Sequence, residues 1–197
     1  MGLFLACVLS YLIGSIPNGL VLGKLLWKVD LREHGSHNIG ATNAWRTLGK
    51  GPGFLIFALD LLKGLIGVWL GLHMAGTPLA MILGGIFAIV GHSWSVFLGF
   101  KGGKGVATGL GVITMLMPKV TLVVFLVWFV IVYLTKYVSL GSIVAAALVP
   151  VFAWLFGNPW EYIVFGVIAA VFVIYRHKTN IQRLMTGTES KIKAGHR

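Results

Sequence analysis

The chain has 197 residues, of which 57% are hydrophobic and 11% charged, with a formal net charge of +11. Ordinary water-soluble domains carry about a quarter charged residues, so this composition excludes a soluble globular fold and predicts an all-α integral membrane protein. The basic excess does not argue for nucleic acid, because lysines and arginines flanking membrane spans report orientation and attract anionic headgroups, and no aromatic and basic interleaving of the single-strand-binding kind lies outside the apolar runs.

A helix crosses a ~30 Å hydrocarbon core with about 20 apolar residues. Apolar runs of that order occupy 3–26, 54–74, 79–100, 138–156 and 162–175, and two shorter runs, 106–117 and 120–134, meet at Pro118 and Lys119. The first run lacks a positive n-region and continues into further apolar sequence, which predicts a retained span rather than a cleaved signal. Within it, "GSIPNG" at 14–19 places Ser15, Pro17 and Asn18 at membrane depth. Proline removes a backbone hydrogen bond there, and the freed groups need partners from neighbouring helices, side chains or water. Cys7, the one cysteine, excludes an intramolecular disulfide.

After the first run comes "GSHNIGATNAWRTLGKGPG", 35–53, too polar to span. Ser36, Thr42 and Asn43 supply short donors, Gly40 a permissive backbone, and Arg46 a planar fork suited to phosphate or carboxylate. In the second run Asp60 is expensive in lipid and is expected to pair with Lys63 on the next turn. "GFKGGKGVATGLG", 99–111, then interrupts apolar sequence with Lys101 and Lys104 on a glycine-rich backbone. Successive N–H groups around Gly102 and Gly103 could form a concave anion nest with Lys104 as its point charge. The stretch is not a P-loop: three residues rather than four separate Gly99 from Gly103, and Gly105 stands where Ser or Thr is required.

Parity and charge predict about seven transmembrane helices, with the N-terminus outside and the C-terminus cytoplasmic. Both short runs then cross, and the inside receives Lys28, Arg32, Arg46, Lys50, Lys101, Lys104, Lys136 and the tail with Arg176, Lys178, Arg183, Lys191, Lys193 and Arg197. Merging the two short runs into one kinked helix puts that tail on the wrong side, whereas a re-entrant hairpin keeps the parity with five spans. No linker or repeat divides the chain, so residues 1–197 read as a single domain. The 138–156 run opens with Ser139 and Ser142 ahead of small residues that let helices approach. The last run is followed by His177 and Asn180, three apart and so on one helical face. The sequence calls for no metal: His34, His37 and His92 are not spaced with a third ligand, and no H-E-x-x-H occurs.

Four ordered segments, "GATNAWRTLGK", "GHSWSVFLGFKGGKGVATGLGV", "SLGSIVAA" and "RHKTNIQRLMTGTESKI", together with "GSIPNG" and "DLLKG", resemble the bacterial acyl-phosphate glycerol-3-phosphate acyltransferases over essentially the whole chain. The resemblance implies a multi-pass enzyme of the bacterial plasma membrane with its site facing the cytoplasm. It implies transfer of a fatty acyl group from acyl phosphate to the sn-1 hydroxyl of glycerol 3-phosphate, giving lysophosphatidic acid and phosphate. No cofactor is called for and no protein partner is inferable; the implied partners are the two phosphorylated substrates and membrane lipid. A transporter of a phosphorylated metabolite is the alternative, although transporters usually carry such sites at the midplane of related halves.

The His-x4-Asp pattern of acyltransferases that use acyl-CoA or acyl carrier protein is absent, since none of the six histidines has aspartate five residues later. Two places depart from the family's usual text: His37 and Ile39 stand where glycine and proline are expected, and Trp94 and Ser95 where Phe-Pro is expected. Acyl phosphate is a mixed anhydride with a good leaving group, so the enzyme mainly positions two anions, stabilises the carbonyl oxyanion and disposes of one hydroxyl proton. On this reading Lys104 with Gly102 and Gly103 binds phosphate and developing charge. Ser36, Gly40, Thr42, Asn43 and Arg46 hold the other phosphate, and Ser142, His177 and Asn180 orient glycerol 3-phosphate. The proton goes either to the acyl phosphate's own oxygen or to His177.

Overall fold

The computed structural model describes residues 1–192; Lys193 and Arg197, counted above among the inside cations, lie outside them. The described residues form α1 (Gly2–Ser15), α2 (Asn18–Trp27), α3 (Ala41–Leu48), α4 (Lys50–Ala75), α5 (Pro78–Ser93), a 3-10 turn (Val96–Leu98), α6 (Val106–Leu116), α7 (Pro118–Thr135), α8 (Val138–Leu155), α9 (Trp160–Arg176) and α10 (Lys178–Met185). Among them there is no strand, and the chain is an all-α integral membrane protein.

Five segments are long and apolar enough to cross a bilayer: Gly2–Trp27, Lys50–Ala75, Pro78–Leu98, Pro118–Thr135 and Val138–Leu155. A sixth is added if α9 and α10, bent by 59° at their junction, are taken together. The expected count of seven requires α6 to cross as well. Its 11 residues rise only roughly 16 Å at ~1.5 Å each, about half of a ~30 Å core. Helix length therefore gives five or six full spans plus one short apolar helix.

Read from its sequence as one domain, the chain groups its described residues into two compact units, 1–112 and 113–192. In the first, the glycines of the apolar runs mark where backbones meet. A Cβ on Gly67 of α4 would lie 2.6 Å from the Gly84 carbonyl of α5, and one on Gly84 2.1 Å from that of Gly67, so only hydrogen fits at that crossing. The break at Pro17 between α1 and α2 frees carbonyls that α1 would otherwise use. Ile16 O accepts from the Lys63 ammonium and Ser15 O from the Ser95 hydroxyl, which answers the demand that proline creates. Leu31, Ala44 and Ile56, all fully buried, pack with Leu22, Ala41 and Leu48, and this small core seats the polar 30–40 loop on α2, α3 and α4. Gly49 (φ +100°) turns the chain between α3 and α4 in a single residue.

In the second unit α7 presents an apolar face outward: Leu122, Leu126, Phe129, Val130 and Leu134 are each more than half exposed, as a lipid-facing helix requires. Gly141 admits the Trp128 and Val132 side chains of α7 against α8.

Candidate functional site

Two groups of polar side chains hold the residues singled out from the sequence, one in each unit. In the first unit, Asn43 sits in the first turn of α3, only 2% exposed. Its amide is wholly engaged within the loop: Nδ2 donates to the carbonyls of Leu31 (2.9 Å), His34 (3.0 Å) and Asn38 (2.8 Å), and Oδ1 accepts from the Ser36 N–H (2.9 Å). Asn43 therefore gathers the 31–38 loop around itself. Thr42 and Arg46, half-buried and one turn apart on α3, share a different face of that helix. Gly40 caps α3 in an extended conformation, φ −75° and ψ 164°, and Ser36 is exposed on the loop.

The loop's other anchor was not singled out from the sequence. Asp30 takes both Arg32 Nε (3.0 Å) and Nη2 (2.7 Å), the Arg32 N–H (3.0 Å) and Lys24 Nζ (3.0 Å). The Arg32 side-chain hydrogen bonds, with Lys24 and the Arg32 N–H and charge, hold its carboxyl well below the ordinary carboxylate range despite the upward push of burial. His37 adopts φ +56°, in the left-handed region that favours glycine, and its Nδ1 donates to Arg32 O at 2.9 Å. The position where glycine is expected is thus a left-handed turn that this chain makes with histidine. Likewise Ser95, standing where proline is expected, has φ −64°, the angle a proline ring imposes.

The glycine stretch folds back on α5. Gly102 N–H donates to Ser93 O (3.1 Å) and Gly103 N–H to His92 O (3.0 Å). An N–H spent on a carbonyl is not offered to an anion, so these two amides do not form the open nest expected of them. They tie the loop to the end of α5 instead. Lys104, half-buried, follows directly, and Gly105 (φ +76°) leads into α6. The first N–H groups of a helix have no intrahelical acceptor and carry the positive end of its dipole, so Lys104 stands at an electropositive helix start.

In the second unit Glu189 is the organising group. Its Oε1 accepts from Ser139 Oγ (2.7 Å) and Asn180 Nδ2 (2.7 Å), and its Oε2 from Arg183 Nε (2.7 Å). Burial pushes this carboxyl up, but the Ser139, Arg183 and Asn180 hydrogen bonds and the Arg183 charge outweigh it and leave it below its ordinary value. Asn180 lies in the first turn of α10, and His177 is the single residue between α9 and α10. His177 is 3% exposed, and its Nδ1 lies 2.8 Å from Val173 O. A carbonyl can only accept, so Nδ1 is the donor in that contact. Ser142 Oγ donates to Val138 O (2.8 Å) and accepts from Trp128 Nε1 (3.3 Å). Glu189 was missed as a site-shaping residue; its signal is that it is the lone carboxylate in a tail of basic residues.

Among the described residues no three His, Cys, Asp or Glu side chains gather as metal ligands would.

The profile of the family described as "Glycerol-3-phosphate acyltransferase" matches residues 4–187. A glycerol-3-phosphate acyltransferase from Syntrophomonas wolfei is 49% identical over 94% of each chain. One from Moorella thermoacetica is 48% identical over 95% of this chain and 96% of its own. The crystal structure of PlsY (YgiH), an integral membrane glycerol 3-phosphate acyltransferase in its glycerol 3-phosphate form, superposes with a TM-score of 0.93 at 42% identity, covering 98% of this chain and 96% of that one. Its lysophosphatidic acid form gives a TM-score of 0.90 at 40% identity, covering 98% and 97%. The chain belongs to the glycerol-3-phosphate acyltransferase family.

Proposed function

We propose that this protein transfers a fatty acyl group from acyl phosphate to the sn-1 hydroxyl of glycerol 3-phosphate, releasing lysophosphatidic acid and inorganic phosphate. Related structures named for glycerol 3-phosphate and lysophosphatidic acid forms support the acceptor and the product. The acyl phosphate donor is supported by chemistry: the chain offers cations and helix-start N–H groups for a second phosphate, and its histidines lack the His-x4-Asp arrangement. The observation that carries the reading is Lys104 at the start of α6, a cation beside the N-terminal N–H groups of a helix in an apolar chain. Named relatives that are acyltransferases leave the transporter reading without support.

Lys104 and the first N–H groups of α6 hold the donor's phosphate and neutralise charge as it develops on the leaving group. Gly102 and Gly103 serve that site by letting the backbone lie against α5. Thr42 and Arg46, with Ser36 and Gly40, bind the other phosphate, on a loop whose shape Asn43 maintains. Ser142, His177 and Asn180 orient glycerol 3-phosphate. The acceptor hydroxyl oxygen attacks the acyl carbonyl carbon; the new C–O ester bond forms, and the C–O bond to phosphate breaks with its electron pair going to phosphate. A dianionic acyl phosphate would expel a phosphate trianion, a far stronger base than imidazole, so the hydroxyl proton passes to that departing oxygen. Positive-inside flanking supports a site that faces the cytoplasm, and the bacterial relatives support a bacterial plasma membrane.

Lys104→Ala is expected to lower kcat/KM by about 10²-fold or more, as removal of a transition-state stabiliser typically does, measured by lysophosphatidic acid formation in detergent. Near-normal activity would remove Lys104 from the reaction.

A further inference from the structure

His92 is a buried histidine, 5% exposed, in the last turn of α5, and the reaction just described gives it no part. Its Nδ1 lies 3.7 Å from Asp60 Oδ1. That same oxygen accepts from Lys63 Nζ at 2.8 Å and from Asn18 Nδ2 at 3.1 Å, and Lys63 Nζ donates in addition to Ile16 O at the Pro17 break. The carboxylate facing the histidine is therefore fixed from the α1–α2 break and from α4. A charged pair buried at this depth is costly unless its geometry is held by further hydrogen bonds, and here it is.

The other edge of the ring meets the glycine stretch. A Cβ built on Gly103 would sit 2.1 Å from His92 Nε2, 2.9 Å from Cε1 and 3.0 Å from Cδ2. His92 O meanwhile accepts the Gly103 N–H at 3.0 Å. One residue thus braces Gly103 twice, by its carbonyl and by its ring, and Gly103 is bonded to Lys104. Gly102 differs: a Cβ there would sit 2.1 Å from the His92 carbonyl oxygen, which is backbone.

We propose that His92 is a positioning residue for the acyl transfer, its ring wedged between Asp60 and Gly103 so that Lys104 meets its phosphate from one fixed backbone position. The absence of a side chain at 103 is then a fit to the His92 ring, whereas the absence of one at 102 is a fit to main chain.

The inference rests on the proposed role of Lys104, and a double-substitution cycle on the purified full chain tests it separately. Gly103→Ala is expected to lower kcat/KM about 10²-fold and His92→Ala about tenfold. The double variant G103A/H92A is expected to recover about tenfold over G103A, because the ring that the new methyl strikes is gone. In the Gly102→Ala background His92→Ala rescues nothing and the two losses multiply, since the obstructing atom remains. A merely structural role for His92 would make the losses multiply in both backgrounds, and that result, or equal rescue of G102A, overturns the proposal. Where His92→Ala does not yield folded protein by thermal unfolding in detergent, His92→Asn takes its place in the cycle. It keeps a hydrogen-bonding atom towards Asp60 and omits the ring edge facing Gly103. The wild-type rate with acyl phosphate, read in the same assay, separates failure of the cycle from failure of the functional reading: product from wild type with multiplicative losses sinks only the role of His92.

Discussion

The two polar groups are held together by opposite means. Around α3, a neutral amide gathers the loop: Asn43 binds only backbone, three carbonyls and one N–H. At the start of α10, a carboxylate gathers side chains, taking Ser139, Asn180 and Arg183 on the two oxygens of Glu189. A neutral hub with main-chain partners is indifferent to pH and cannot be compensated by a change elsewhere, because its partners have no side-chain alternative. A charged hub with side-chain partners is tied to protonation and can be retuned residue by residue. The first region is built to hold one loop shape, the second to hold a balance of charge.

The largest expected effect breaks the neutral hub with an isosteric change. Asn43→Asp replaces two N–H donors by an anionic oxygen facing three carbonyls, leaving buried acceptors unpaired at about 1–3 kcal/mol each. Activity is expected to fall by at least about 10²-fold, with the loss seen as weakened glycerol 3-phosphate or acyl phosphate saturation and increased amide exchange over 31–43. Retention of normal exchange there would show that Asn43 does not shape the loop.

Acid sharpens the contrast. Because the Glu189 carboxyl lies below its ordinary value in the folded protein, its stabilising contribution is complete above the unfolded carboxylate value of about 4.3 and is lost as pH falls through the folded value. The protection of α10 amides against exchange, taken relative to the intrinsic rate at each pH, should be constant from pH 5 to 8 and fall only below about pH 4. The 30–43 loop should resist longer, since Asn43 does not titrate and Arg32 and Lys24 hold Asp30 further down. Glu189→Gln should abolish the acid step in α10; its persistence would assign that step to another group.

Much of this organisation was legible from residue patterns, and the rest failed for a common reason. Each apolar run coincides with a helix, although run length did not rank which of them are long enough to cross, and an acid followed three residues later by a base identified the Asp60–Lys63 pair, because those signals are local. The break at Pro17 was legible, but not that Ser95 and Lys63 satisfy its carbonyls, since Ser95 lies 80 positions from Ser15. Gly102 and Gly103 were recognisable as places of close backbone approach. What approaches them, the end of α5, depends on a turn whose path no periodicity encodes, so their N–H groups looked available for an anion. Asn43 reads as a donor from its residue type, and only the folded loop reveals that its donors are spent. Counting seven spans treated α6 as a crossing helix because charge parity required it, whereas its length alone does not.

The smallest expected effect concerns His37, the one non-glycine residue in the left-handed region within the Asn43-centred loop. His37→Gly removes left-handed strain of about 1–2 kcal/mol and forfeits one exposed hydrogen bond to Arg32 O, so thermal stability should rise by at most about 1 kcal/mol with activity nearly unchanged. A fall in stability would mean that the imidazole contributes more than the turn costs.

The most direct measurement follows the purified protein in detergent with palmitoyl phosphate and glycerol 3-phosphate, counting lysophosphatidic acid and inorganic phosphate over time. The account predicts the two products in a one-to-one ratio, and no lysophosphatidic acid when palmitoyl-CoA replaces palmitoyl phosphate. Lysophosphatidic acid formed from the thioester, or phosphate released without it, would contradict the account.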